Sequence, residues 1–415
     1  MKLTSIIFAT VTLQLTGAHT NNVCTNFWAF LNIITNPHCY YNPDVSGNIT
    51  EIITGHGYKM ETYTTTTWDG YILDIFRIPA AINDNCENSK PKQPIFFVNG
   101  INRDARAWLL MSGQSPALYY ASKCYDVWLA NVRGTAYSKH ITRDPNSKAY
   151  WDFSFHEQAI IDIPANLDVV AKVTGQAGNI IYVGHSMGTT ISYIYCSVNV
   201  THCKNNLKAV ISLAPIANLN KLKVPFHYLL AYNSKLLQSM LSLVHLYWFP
   251  LQPIFRLCVN FPIMGPCAMM LQFFIGKSQP NNYPEFLPGF MFNGVTPVGV
   301  KLIMHYSQIM IKKGRFAWYD HGTSKNLIVY NSKVPPLYDV SNIPVNVDLI
   351  FANDDLLSYK DDVMVLYKNL PSSLKSISEV PTNSSKYMNH MDFLISQNIG
   401  NVYDTINIKL KNYST

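Results

Sequence analysis

A serine, a carboxylate and an imidazole, scattered along this 415-residue chain, would together make a hydrolytic centre. The serine is Ser186, set in Gly184-His185-Ser186-Met187-Gly188. A hydroxyl attacks a carbonyl only when a base within hydrogen-bond reach takes its proton and an acid orients that base. Beyond Asp355 a single histidine remains, His390, in Tyr387-Met388-Asn389-His390-Met391-Asp392-Phe393. The acid belongs in Asn353-Asp354-Asp355-Leu356-Leu357, where spacing alone does not separate Asp354 from Asp355. Asp348 sits inside a strand-like run, and Asp361 and Asp362 suit a helix start, so these are read as structural.

The elements that must position these groups are legible around them. Ile180 to Val183 is a buried strand in its residue types, and Thr189, Ile191, Tyr193 and Ile194 continue as a helix. Between them the turn must be sharp and the serine backbone strained. Glycines two residues to either side let strand and helix pass. Because the helix starts at Met187, that amide points to where negative charge would develop on an attacked carbonyl. A second strand, Pro94 to Val98, ends at Asn99-Gly100-Ile101, and the Ile101 amide is the second donor by position. The nucleophile, acid and base follow in the order found on the α/β-hydrolase sheet.

Other stretches fill out that sheet. Thr64 to Ile78 reads as a hairpin hinged at Asp69-Gly70. Strands are predicted over residues 126–131, 209–213, 345–351 and 374–380, with helices over 155–175, kinked at Pro164, and 361–370. Strands alternating with helices imply an α/β fold whose mainly parallel sheet is covered on both faces. Past Asn220 the pattern breaks into a segment dense in Leu, Phe, Tyr and Met and interrupted by prolines. Leu236 to Phe255 carries no formal charge over about the length of a membrane span. Gln238, Ser239, Ser242, His245, Gln252 and two prolines would be costly in lipid, so the stretch is read as an apolar lid. The division that follows is a first core segment over 19–217, a helical cap over 218–300 and a second core segment over 301–415.

Composition narrows the setting. Aromatic residues make up 13% and charged residues 14% of the chain, and the net charge of +7 is scattered, which disfavours nucleic-acid binding. Residues 1–18 have the charge, apolar run and small-residue end of a secretory signal peptide. Eight cysteines and Asn-x-Ser/Thr sequons at Asn48, Asn199, Asn383 and Asn412 agree with a secreted or lysosomal glycoprotein. A local Cys24–Cys39 disulfide fits their spacing, two buried thiols being the alternative, and the pairing of Cys24, Cys39, Cys86, Cys124, Cys196 and Cys203 stays open. No metal or other cofactor is expected, since the chain has no His-Glu-x-x-His and no closely spaced Cys/His cluster.

Longer stretches carry a resemblance. Asn42-Pro-Asp-Val, Trp68-Asp-Gly-Tyr-Ile-Leu, Tyr125-Asp-Val-Trp-Leu-Ala-Asn-Val-Arg-Gly134, Trp151-Asp-Phe-Ser-Phe-His-Glu157, the serine pentapeptide, Pro335-Pro-Leu-Tyr-Asp339 and Asn389-His-Met-Asp-Phe393 resemble the acid lipases. This is the group of gastric and lysosomal acid lipase, and the likeness is to its arthropod-type members in particular. The resemblance spans about residues 42 to 398. It implies an α/β-hydrolase core under a helical cap, acting on neutral lipids of the triacylglycerol or sterol-ester type at a lipid–water interface. In the family the acid directly precedes the Leu-Leu pair, which favours Asp355, and a short disulfide in the lid corresponds to Cys258 and Cys267. Two positions depart from the family. Asn99 stands where a histidine is usual, and Met187 where a glutamine is usual, so the rate and the substrate choice are the properties in question. The alternative on the same fold is a lipid carrier that has lost turnover.

Overall fold

The computed structural model describes residues 43–45, 47–79, 91–221, 225–258, 263–277, 286–382 and 387–413, with Cys86 and the pairs Asn22–Val23 and Tyr40–Tyr41. The signal-like residues 1–18, Cys24, Cys39 and the Asn383 sequon lie outside the described residues.

A nine-stranded sheet carries the fold. In chain order its strands are β1 (Glu61–Thr66), β2 (Tyr71–Ile78), β3 (Pro94–Val98), β4 (Asp126–Leu129), β5 (Ser138–His140), β6 (Ile180–His185), β7 (Leu207–Leu213), β8 (Asn346–Phe351) and β9 (Lys375–Glu379). Their spatial order is β9-β8-β7-β6-β3-β4-β2-β1, with β5 also on β2. All pairs from β9 to β4 are parallel, and β2 joins β4, β1 and β5 antiparallel. The central strands are buried on both faces, as a parallel sheet between helices requires. Alternation sorts their side chains. Ile95, Phe97, Val127, Leu129, Ile181 and Val183 enter one core, and Phe96, Val98, Trp128, Ile180 and Tyr182 enter the other.

The helices used below are α1 (Ile163–Thr174), α2 (Met187–Val198), α3 (Pro225–Tyr232), α4 (Ser234–Leu243), α5 (Leu251–Leu257), α6 (Met264–Ile275), α7 (Leu287–Phe292), α8 (Val300–Ile311), α9 (Lys360–Asn369) and α10 (Ile399–Leu410). Buried Leu167, Val170, Ile191 and Ile194 of α1 and α2 cover one face of the sheet, and Ile399, Val402 and Ile406 of α10 cover the other. The sequence reading assigned no element to 300–311 or 399–410, and both are helices. The helix expected over 155–175 runs unbroken to Thr174, and Phe155–Glu157 widens into a π-turn over Gln158–Asp162 just before Pro164, the position of the expected kink.

That π-turn delivers Asp162 to Arg133. The Arg133 guanidinium bonds Asp162 at 2.7 Å on one side and Asp69 of the β1–β2 hairpin turn at 2.7 Å on the other. Burial pushes the Arg133 guanidinium down, but the two carboxylates outweigh it and leave it well above its ordinary value. Removing one partner would strand the other charge in the interior, so the cluster locks hairpin, β4 and π-turn together.

Between β7 and α8 the chain forms α3 to α7 and a two-residue ribbon, Trp248–Phe249 against Val298–Gly299. The uncharged stretch of residues 236–255 is divided among α4, that ribbon and α5. No helix among the described residues is long and apolar enough to cross a membrane. Disulfides join Cys86 to Cys124, Cys196 to Cys203 and Cys258 to Cys267. The last ties the end of α5 to α6, and closing a loop of this size contributes about 3 kcal/mol in the chain-entropy model.

Candidate active site

Ser186 sits between β6 and α2 with φ 55° and ψ −118°, a left-handed backbone that costs a non-glycine residue about 1–3 kcal/mol. The surrounding bonds hold it there. The Ser186 amide donates to the Leu213 carbonyl at 3.0 Å, and the Ser186 carbonyl accepts from the Thr189 amide at 2.8 Å and the Thr189 hydroxyl at 2.6 Å. Each flanking glycine has a steric reason. A Cβ on Gly184 would lie 2.8 Å from the Gly188 carbonyl carbon, and one on Gly188 would lie 2.9 Å from the Val98 carbonyl carbon and 3.1 Å from the Asn99 oxygen.

Asp355 and His390, 35 residues apart in sequence, meet at this turn. His390 Nε2 lies 2.7 Å from Ser186 Oγ, and His390 Nδ1 lies 2.7 Å from Asp355 Oδ2. Asp355 Oδ1 accepts from the amides of Leu357 and Ser358, both at 2.8 Å, which fixes the carboxylate plane. All three residues are buried, Ser186 at 7% exposure, His390 at 3% and Asp355 at 1%. The choice between the two aspartates, which spacing left open, is made by the turn after β8. Asp354 points elsewhere and accepts from the Met388 amide at 3.2 Å, holding the loop that carries His390. Asp348 is used inside the sheet, accepting from Tyr413 at 2.7 Å and from Ser376.

The two amides singled out in the sequence flank the serine. Met187 opens α2, so its N–H has no acceptor four residues back. Ile101 follows Gly100, whose position directly against Ser186 leaves no room for a side chain. A Cβ there would lie 3.1 Å from Ser186 Cβ and 3.4 Å from His185 Nδ1. Of the sequons, Asn48 caps the helix Ile49–Gly55 and is exposed, as is Asn412. Asn199 donates its Nδ2, the atom that would carry a glycan, to the Ile160 carbonyl at 3.1 Å.

Matches to known proteins agree with this geometry. Residues 49–112 match the family model of the partial α/β-hydrolase lipase region, and residues 93–254 match that of the α/β-hydrolase fold. Gastric triacylglycerol lipase of Rattus norvegicus is 33% identical over 363 residues, covering 85% of this chain and 88% of that one. The human gastric enzyme is 31% identical with the same coverage, and human lipase member J is 31% identical over 86% of this chain and 96% of its own. The chain belongs to the acid lipase family. Solved structures share the fold at lower identity. A soluble variant of monoglyceride lipase from Saccharomyces cerevisiae superposes with a TM-score of 0.51 at 14% identity, covering 86% of this chain and 98% of that one.

Three residues of this acid lipase that the sequence reading passed over shape the site. His185 is buried, and burial, with the neighbouring His390 and Arg103, drives its pKa well below the ordinary value. The ring is therefore neutral, and its Nε2–H donates to the His390 carbonyl at 2.8 Å, pinning the His390 backbone. Gly276, just past α6 with φ 109°, accepts from Asn389 Nδ2 at 3.0 Å, and Ile275 accepts from the His390 amide at 3.4 Å. The end of α6 is thus docked on the loop that carries His390.

Arg103 is the third. It is buried, and no carboxylate lies within ion-pair distance of it among the described residues. Burial pushes its guanidinium down to about 9, with Asp104 only partly offsetting this. It donates to the carbonyls of Gly294 and Phe290 at the end of α7, and its guanidinium carbon lies 4.0 Å from the Phe290 ring centroid. Asn99, the departure noted in the sequence, donates its Nδ2 to the Arg103 carbonyl and to Gly100. Asn99 and Arg103 therefore staple the Gly100–Ile101 turn to α7. A buried cation paired only with carbonyls and a ring is a signal visible after folding, because its acceptors lie 187 and 191 residues away.

Proposed function

We propose that this chain is a serine lipase that hydrolyses the ester bonds of neutral lipids, triacylglycerols and sterol esters, through an acyl-enzyme. In this reading Ser186 is the nucleophile, His390 the base and Asp355 the acid. His390 Nε2 takes the Ser186 proton as Oγ attacks the ester carbonyl, and Asp355 stabilises the imidazolium that forms. The Ile101 and Met187 amides receive the oxyanion; loss of one such donor typically costs about 10²–10³ in kcat. His390 then returns the proton to the leaving alcohol, and the acyl-enzyme is hydrolysed by a water that His390 deprotonates. The continuous hydrogen-bonded path from Asp355 through His390 to Ser186 is the observation that carries this reading.

The surface supports lipid as the substrate class. In the segment read as a cap, Leu236, Met240 and Leu243 of α4 and Met269 and Phe273 of α6 face solvent. Apolar patches on that scale mark contact with a membrane or another apolar partner. The cap assignment over 218–300, glycosylation and a secreted or lysosomal destination belong to the same proposal. The test is hydrolysis of emulsified triolein and cholesteryl oleate by the full chain beside Ser186→Ala. Turnover by the parent with at least a 10³-fold loss in the variant is expected from the size of nucleophile deletions; equal rates would overturn the proposal. A Leu236→Ser/Leu243→Ser chain should lose turnover on emulsions while keeping it on a soluble butyrate ester.

A further inference from the structure

A cavity of about 560 Å³ lies between α4, α8 and the segments around residues 148–152 and 319–325, and none of the proposed catalytic residues lines it. Its volume is that of a small-molecule site. Lys235, Gln238 and Ser242 of α4 line the cavity, Lys235 and Ser242 at its open, solvent-facing side.

The cavity wall supplies charge. Lys148, Lys235, Lys301 and Lys325 face Asp152 and Asp320, a net charge of +2. Lys301 is occupied, 2.9 Å from Asp152 and 3.7 Å from Glu157. The other three ammonium groups form no ion pair among the described residues. They are nevertheless within reach of the site. Burial pushes the Asp152 carboxyl up, but Lys301, Lys325 and Lys148 outweigh it and hold it below the usual range. Asp320 is held by its own bonds, from the Gly322 amide at 2.9 Å and Asn326 Nδ2 at 2.7 Å, so it does not neutralise Lys235 by direct contact. Elsewhere the wall alternates apolar side chains, Met304 and Ile311 of α8 with Trp151 and Leu246, with polar ones such as Gln238, Ser239 and Gln308.

A cleft with four lysines to two aspartates and apolar side chains set among its polar ones suits an amphiphile with an anionic head. We propose that it binds a fatty-acid carboxylate, the head among Lys148, Lys235 and Lys325 and the chain along Met304, Leu246 and Trp151. The choice of a fatty acid rests on the ester-hydrolysis reading above. A neutral ester carries no charge, and each hydrolysis creates one carboxylate, so the lysines separate product from substrate by charge alone. The ligand would bear on the cap, because α4 forms one wall. The opposite side of α8 meets the nucleophile helix, where Tyr306 OH lies 3.0 Å from Thr190 Oγ1.

The experiment uses the full chain carrying Ser186→Ala and a fatty acid with a photoactivatable diazirine in its alkyl chain, followed by peptide mapping. Crosslinks are expected within residues 234–247 and 300–311. Decanoate should compete for them and decanol, its neutral counterpart, should not. Lys235→Glu/Lys325→Glu should weaken decanoate competition by about tenfold or more, as reversal of two close charges implies. Crosslinks confined to other segments, equal competition by decanol, or an unchanged double variant would overturn the site. Should the double variant fail to unfold cooperatively, the comparison of decanoate with decanol decides alone. A parent chain without esterase activity but with this charge-selective crosslinking would remove the product assignment and leave the anion site standing.

Discussion

The tightest contact around Ser186 is a backbone crossing, and it sets up a sharp test. Gly188 in α2 passes under the end of β3, and an alanine there would place its Cβ 2.9 Å from the Val98 carbonyl carbon, 3.1 Å from the Asn99 oxygen and closer still to the Val98 oxygen. Carbon atoms at rest sit about 3.5–4.0 Å apart. The end of β3 must then retreat by about 0.6–1 Å, and the Gly100–Ile101 turn moves with it. Overpacking of this kind costs about 1–3 kcal/mol of stability. Displacing an oxyanion donor by about 1 Å costs about 10² in rate. Gly188→Ala should therefore lower kcat on a soluble p-nitrophenyl ester by about two orders of magnitude, with a smaller change in KM, because the loss falls on the transition state. Gly400→Ala in α10 is the control, since its Cβ would meet nothing within 4 Å. That change should leave kcat alone and raise stability by up to about 1 kcal/mol. A Gly188→Ala chain with parental kcat and parental thermal unfolding would refute the claim that this crossing holds the oxyanion turn.

Further expectations are simpler. Asp355→Ala should lower kcat by about 10⁴, the scale seen when the acid of such a triad is removed, and Asp354→Ala by far less, since Asp354 bonds only the Met388 amide near the site; equal losses measured with one soluble ester would reverse the assignment. Arg103→Met should lower kcat more than it raises KM, with Arg103→Lys recovering part of the loss; a change confined to thermal stability would reduce Arg103 to a packing role. His305 predicts an acid limit. Burial lowers its pKa from 6.5 to about 3, with its partial compensation coming from the Ala317 carbonyl. Below about pH 6.5 the unfolded chain takes up a proton that the folded chain refuses, so stability falls with pH by up to about 1.4 kcal/mol per unit until the folded value is reached. Denaturant melts of His305→Asn between pH 7 and pH 4 should show a flatter slope, and an unchanged slope would rule this contribution out.

Much of the fold could be read from the chain because it rests on local rules. The hairpin at Asp69-Gly70, the apolar runs of β3, β6 and β7 and the glycine-flanked turn at Ser186 each follow from the sterics of a few adjacent residues. Helices α8 and α10 escaped because α8 opens on the tail of a segment rich in aromatics and prolines, and because α10 mixes polar residues into a stripe that only contact with the sheet makes apolar. The π-turn before Pro164 escaped as well, since its purpose, the delivery of Asp162 to Arg133, lies 29 residues upstream.

By itself the amino-acid order determined which groups could do chemistry, namely Ser186 at a forced turn, one remaining histidine and an aspartate pair. Only tertiary structure decided that Asp355 and not Asp354 meets His390, and that Asn99 and Arg103 tie the Gly100–Ile101 turn to α7. The physical reason is range. Backbone sterics act between neighbours and leave a mark in sequence, whereas hydrogen bonds and burial act between whatever segments the packed core brings together, here more than a hundred residues apart.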